Sequence, residues 1–69
     1  MTQYIAVKKE TAERELFGIA AVEGGEPAGC IEDVLPSWEH VLTLVRLLQE
    51  NGVAAEHFYD VVEDYILAQ

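Results

Sequence analysis

The stretch that decides the fold is HFYDVVEDYI, residues 57–66. Counting from Phe58, its apolar side chains recur at the spacing of one helix stripe, while the acids take the opposite face. The stripe consists of Phe58, Val61, Val62, Tyr65 and Ile66. We therefore predict a helix from about Ala55 to Leu67 that packs by one face and is acidic on the other.

A first helix precedes this one. Ser37 is a suitable N-cap with Trp38 at the first helical position, and Gly52 supplies the left-handed residue that ends the helix near Asn51. Its apolar side chains cover an arc of roughly 200°, wider than one sheet face requires. They are Trp38, Val41, Leu42, Leu44, Val45, Leu47 and Leu48. The loop 52–54 is so short that the two helices should form an antiparallel hairpin.

The first half of the chain favours extended backbone. Runs of β-branched and aromatic residues predict three strands, at 3–9, 15–22 and 29–35. A polar loop at 10–14 and a Gly24-Gly25 turn followed by Pro27 connect them, and Pro36 breaks the third. Short connections of this kind favour an antiparallel meander. The predicted fold is a single α+β domain over residues 1–69, a three-stranded meander packed against a helical hairpin in the order β-β-β-α-α.

The second predicted strand is apolar on both faces, which is typical of a central strand with both faces at least partly covered. One face carries Leu16, Gly18, Ala20 and Val22, and the other carries Phe17, Ile19 and Ala21. A glycine inside a strand often marks the close approach of another backbone. For Gly18 we favour a closely packed helix over a ligand groove.

Size and composition favour self-association. A chain of 69 residues forms one small domain with a thin margin of stability. Its single cysteine rules out an internal disulfide, yet 51% of its residues are hydrophobic. Part of that surface should meet a second copy, giving a homodimer. The candidate anchors of the core or of the dimer are Leu16, Gly18, Trp38, Leu44 and Leu47.

The formal charge of −9, from 13 acidic and 4 basic residues, argues against direct nucleic-acid binding, which needs clustered Lys and Arg. The sequence contains no apolar run long enough to indicate a membrane span, and the N-terminus does not resemble a signal peptide. We expect a cytoplasmic protein, in which a lone free thiol is common.

The acidic face of the last helix is the candidate interaction surface. It comprises Glu56, His57, Asp60, Glu63 and Asp64. It could be simply solvated, could receive a cationic protein partner, or could hold a divalent metal ion. A metal site would need ligands from a second element, and the sequence indicates none. We favour a solvated face.

Other reactive side chains lack companions for catalysis. His40 and His57 lie near the helix starts without a nucleophile, a carboxylate dyad or a glycine-rich phosphate loop. We expect His40 to be partly buried and hydrogen-bonded, Cys30 to be a small buried residue, and Trp38 and Tyr65 to belong to the core. The chain is therefore expected to be neither an enzyme nor a cofactor protein.

Three motifs resemble a known group of sequences. They are Phe17-Gly18-Ile19, the step Ile31-Glu32-Asp33-Val34, and the closing run 57–65. Together they resemble a family of short, uncharacterised bacterial proteins of clostridial, Gram-positive type, although Phe17 replaces the tyrosine expected there. The resemblance implies a fold and a cytoplasmic bacterial setting, and no reaction.

Two functions follow as expectations. The first is a small non-catalytic protein-interaction or regulatory module, homodimeric and binding another, unidentified protein. The alternative is a small-molecule or divalent-metal binding domain that uses the acidic face of the last helix.

Overall fold

A computed structural model of the protein describes residues 2–34 and 37–68, and its element order is the predicted β-β-β-α-α. The elements are β1 (Thr2–Glu10), β2 (Glu15–Glu23), β3 (Glu26–Ile31), α1 (Trp38–Glu50), a 3₁₀ turn (Ala55–His57) and α2 (Phe58–Leu67). The strands form an antiparallel sheet in the order β1-β2-β3. The α+β fold class and the central position of β2 are therefore confirmed.

The third strand differs most from its prediction. It begins at Glu26 and ends at Ile31, so Pro27 lies inside it rather than in the preceding turn. Proline is tolerated here because β3 is an edge strand and because the pairing with β2 is irregular between Ala21 and Val22. Leu35 and Pro36, which the prediction placed at the strand's end, lie outside the described residues.

The β2–β3 connection is a two-residue hairpin turn. Gly24 and Gly25 have φ angles of 61° and 82°, and positive φ at both positions is the signature of a type I′ turn. A residue with a Cβ is strained in this conformation, which explains the paired glycines.

Helix α1 ends in a Schellman motif. Gly52 has a φ of 58°, its N–H donates to the Gln49 carbonyl (3.2 Å), and the Val53 N–H donates to the Leu48 carbonyl (3.1 Å). The predicted stop at Gly52 is confirmed. At the other end Ser37 occupies the N-cap position as predicted, but its side chain makes no capping hydrogen bond.

The predicted last helix begins with a tighter turn. Residues 55–57 form a 3₁₀ turn, closed by the His57 N–H donating to the Ala54 carbonyl (2.9 Å), and α2 proper starts at Phe58. Such turns are frequent at helix N-termini. The acidic and apolar faces predicted for this helix keep their register, since Phe58 and Val62 are buried and the acids are exposed.

The core lies between the helices and one face of the sheet. Among the described residues, nine buried side chains contribute to it: Tyr4, Ile19, Ala21, Val34, Val41, Leu44, Leu48, Phe58 and Val62. Phe58 is the largest fully buried side chain, and its ring lies 5.3 Å from that of Tyr4. Burying a side chain of this type contributes about 1.5–3 kcal/mol to folding. The HFYDVVEDYI stretch therefore joins the strand layer to the helix layer.

Candidate interaction surfaces

Within residues 2–34 and 37–68, one face of the sheet carries no helix. The strand register places Ile5, Val7, Leu16, Ala20 and Val22 opposite the core face, and none of them packs against the core. We call these five residues the open sheet face. Ile5 is 48% exposed, and the other four are half-buried by their neighbours in the sheet. Both faces of β2 are therefore partly covered, as predicted, but the helices pack on one side only, and the other face is covered by sheet neighbours and, at Gly18, by the backbone of residues 31–32.

Gly18 lies under backbone and not under a helix, which corrects the favoured interpretation of this glycine. A Cβ at Gly18 would overlap the Ile31 carbonyl oxygen and come within 2.8 Å of the Glu32 backbone. The chain is held there by the Val34 N–H, which donates to the Phe17 carbonyl (2.9 Å). The segment that leaves β3 thus crosses β2 at the one position without a side chain.

Both edges of the sheet are closed by helix side chains. At β1 the Gln49 side-chain amide accepts from the Tyr4 N–H (3.0 Å) and donates to the Thr2 carbonyl (3.1 Å), as a neighbouring strand would. At β3 the Cys30 N–H donates to the Tyr59 hydroxyl (3.4 Å). Capped edges, with Pro27 in β3, disfavour pairing with another strand.

The acidic face of α2 is fully presented to solvent. All five predicted residues are exposed: Glu56, His57, Asp60, Glu63 and Asp64. Within this face, His57 Nε2 lies 3.7 Å from Glu56 Oε1. Across residues 2–34 and 37–68, no three His, Cys, Asp or Glu side chains come together in a way that could hold a metal ion. The described residues therefore give no geometric support to the alternative that this face binds a divalent metal ion.

Two apolar grooves flank α2. The first, the α2–β3 groove, has a volume of about 440 Å³. It is lined by Cys30, Ile31, Tyr59, Val62, Glu63, Ile66 and Leu67. The second, the α1–α2 groove, has a volume of about 430 Å³. It is lined by Leu44, Leu47, Asn51, Val53, Val61, Asp64 and Tyr65. The acidic face is thus the ridge between two apolar depressions.

The five predicted anchors lie in different places. Leu44 is core, whereas Leu47 is 40% exposed in the α1–α2 groove. Leu16 belongs to the open sheet face and Gly18 is covered by backbone. Trp38 is partly buried, with its ring 5.6 Å from that of Phe17. The structure does not gather them into one surface.

Two further expectations are wrong. His40 is exposed rather than partly buried, because it lies just beyond the edge of the apolar arc of α1. Cys30 is exposed rather than buried, because β3 is an edge strand, and the register places Cys30 opposite Ala20 of the open sheet face. Tyr65, by contrast, packs against the core as expected.

Tyr4 connects the sheet to the helical hairpin. Its hydroxyl donates to the Val53 carbonyl at 2.6 Å, between the helices. Burial raises the pKa of the Tyr4 phenol, and the negative charge of Glu23 raises it further. Sequence reasoning placed Tyr4 in a strand without this role, and it missed Gln49 and Tyr59. Only the alternation of β1 could have marked Tyr4 as facing inward.

No helix among the described residues has the length and apolar character needed to cross a membrane.

Comparisons with known proteins give one result. The family of unknown function DUF6514 matches residues 1–68. No curated protein and no solved structure matches the chain. The resemblance to an uncharacterised family is confirmed, while the bacterial setting stays an expectation. With nearly its whole length matched, the chain belongs to the family of unknown function DUF6514.

Proposed function

We propose that the chain is a small, non-catalytic, cytoplasmic interaction module that forms a homodimer by packing the open sheet faces of two copies together. The observation that carries the proposal is an apolar sheet face that no helix of the described residues covers and whose residue Ile5 is 48% exposed. Two sheets packed face to face at about 10 Å are a common way to bury such surfaces.

Charge distribution favours a second copy as the occupant. The chain carries 13 acids, yet β1 and β2 place none on this side of the sheet. Their residues on this side are Gln3, Ile5, Val7, Lys9, Leu16, Gly18, Ala20 and Val22. Glu32, whose backbone lies over Gly18, is paired there with Lys9 (3.4 Å). Another molecule of the same net charge therefore meets less repulsion there than at the acidic face of α2. A twofold axis can match the face to itself, as an isologous dimer requires.

The capped edges support packing by faces over pairing by edges. Gln49 occupies the β1 edge, and Tyr59 with Pro27 blunts the β3 edge. A continuous six-stranded sheet would have to displace these contacts. Face packing leaves them in place.

The area of the open sheet face limits the expected affinity of the dimer. Two strands of nine residues and one of six, about 4.8 Å apart with about 3.3 Å per residue, offer roughly 400 Å² per copy. Stable interfaces bury about 800 Å² per partner, so the dimer should be weak, with a dissociation constant of micromolar or above.

Sedimentation equilibrium from about 10 µM to about 1 mM tests the proposal over the range in which a weak dimer forms. We expect the wild type to associate and Ile5→Lys to stay monomeric while folded. Leu42→Lys is the matched control, because Leu42 is 44% exposed but lies on α1, which packs on the other side of the sheet. The proposal would be overturned if the wild type stays monomeric over the whole concentration range. It would also be overturned if Ile5→Lys and Leu42→Lys associate equally.

A further inference from the structure

The α2–β3 groove combines an apolar floor with an acidic rim. Val62 closes its base, and the side chains of Tyr59, Ile66 and Leu67 are 52%, 37% and 75% exposed. A volume of about 440 Å³ lies within the range of binding pockets, about 300–1,000 Å³. Leu67 is the most exposed large apolar side chain among the described residues.

The rim is acidic because of how α2 is oriented. Glu63 lines the groove itself. At about 100° per residue, Asp60 lies on the helix flank that continues from Tyr59 and Glu63. Residues 47–69 contain no Lys or Arg to neutralise these carboxylates. An occupant of the groove therefore meets apolar side chains on one side and uncompensated negative charge on the other.

From this pairing we propose that the α2–β3 groove binds an amphipathic, basic helix of another protein. Its apolar side chains pack on Tyr59, Ile66 and Leu67, and its Lys or Arg side chains pair with Glu63 and Asp60. Helix-in-groove binding uses this combination of apolar anchors and surrounding charge.

Other occupants fit less well. A strand cannot extend the sheet at this edge without displacing the Cys30 N–H from the Tyr59 hydroxyl and meeting Pro27. A second copy brings its own net charge of −9 to an acidic rim, and nucleic acid brings phosphates. The proposal concerns a different surface from the open sheet face, so either proposal can fail alone.

The probe is a labelled synthetic helix of about 16 residues, long enough for four turns, with Leu along one stripe and Lys elsewhere. Fluorescence anisotropy measures its binding to the full chain. Counterparts with Gln or Glu in place of Lys test the charge. We expect binding of the Lys peptide, binding weaker by at least about tenfold for the Gln peptide, and none for the Glu peptide.

Paired variants separate the groove from general attraction to an acidic protein. Glu63→Lys changes the rim, and Glu50→Lys makes the same change of net charge at the end of α1. Leu67→Gln removes an apolar anchor, and Leu42→Gln removes an equally apolar side chain elsewhere. We expect Glu63→Lys to weaken binding about tenfold, Leu67→Gln severalfold, and each control less than about twofold.

Equal weakening by Glu63→Lys and Glu50→Lys would overturn the proposal in favour of non-specific attraction. Equal binding of the Lys and Gln peptides would overturn it in favour of any apolar ligand. Circular dichroism of each variant checks that it is folded. Ile5→Lys should bind the peptide like the wild type, which keeps this result independent of self-association.

Discussion

Gly18 shows how one missing side chain fixes the path of the chain. The crossing of residues 31–32 over β2 leaves no room for a Cβ, which would overlap the Ile31 carbonyl oxygen. We predict that Gly18→Ala destabilises the fold by about 2–4 kcal/mol, because backbone rather than a flexible side chain must move. Urea denaturation followed by Trp38 fluorescence measures the change.

Gly29→Ala is the control for that prediction. A Cβ at Gly29 meets side-chain atoms, the Tyr59 hydroxyl at 3.3 Å and the Phe58 ring at 3.4 Å, and these can adjust. Its cost should be the smaller of the two. If both variants lose the same stability, the backbone crossing at Gly18 is not the constraint described above.

Tyr4 makes stability sensitive to alkaline pH. Its pKa in the folded state is raised above the ordinary value of 10.0 by burial and by Glu23. The unfolded chain therefore loses this proton first, and the contribution to stability is present below about pH 10 and lost as the pH rises through the folded pKa. Denaturant unfolding between about pH 8 and pH 11 should show a falling free energy of unfolding.

Tyr4→Phe supplies the comparison. It removes the hydroxyl that donates to Val53, at a cost of about 1 kcal/mol at neutral pH. The alkaline decline in stability should then be shallower than in the wild type. An identical decline in both proteins would assign it to other groups.

At the scale of elements, the helices and the presence of three strands were predictable, but the bounds of the third strand were not. Helix α1 carries local signals at both ends, Ser37 and Gly52, and an apolar stripe between them. The start of β3 has no comparable signal, since Pro27 is typical of a turn and the strand was predicted to begin only at Gly29. Its extended backbone is set by pairing with β2, which is a tertiary interaction.

The candidate surfaces also differ in how far the sequence could predict them. Helix periodicity predicts the exposure of Asp60, Glu63 and Asp64 on α2, and Glu56 and His57 in the preceding turn are exposed as well. The open sheet face could be predicted as apolar, but alternation does not tell which face the helices cover. The edge contacts of Gln49 and Tyr59 depend on how the helices dock, which no local pattern encodes.

The acidic face itself should tolerate charge reversal. We predict that Asp60→Lys combined with Asp64→Lys keeps cooperative unfolding and changes stability by less than about 1 kcal/mol, because both side chains are exposed. The like-charge pair at positions 60 and 64 stays like-charged, as two lysines, while Lys near the start of α2 opposes the helix dipole. Thermal unfolding followed by circular dichroism provides the measurement, and a non-cooperative transition would place this face inside the protein.

At the scale of the whole molecule, charge and apolar surface are segregated. The chain has a net charge of −9, yet the β1 and β2 positions of its open sheet face hold no acid, whereas the rim of the α2–β3 groove is acidic. The two proposals therefore assign the open sheet face to an identical copy and the acidic groove to a cation-bearing partner. The two surfaces should respond to salt in opposite directions.

We predict that raising the ionic strength from about 0.01 M to about 0.15 M strengthens self-association at least about threefold and weakens binding of the basic helix by a similar factor, because the Debye length falls from about 30 Å to about 8 Å. Screening removes repulsion between two copies but also removes attraction between the acidic rim and lysines. Sedimentation equilibrium and anisotropy titrations at both salt concentrations measure the two effects. Ile5→Lys, which should not dimerise, isolates the second effect. If both equilibria shift in the same direction, the two surfaces do not have the opposite electrostatic character that the charge distribution requires.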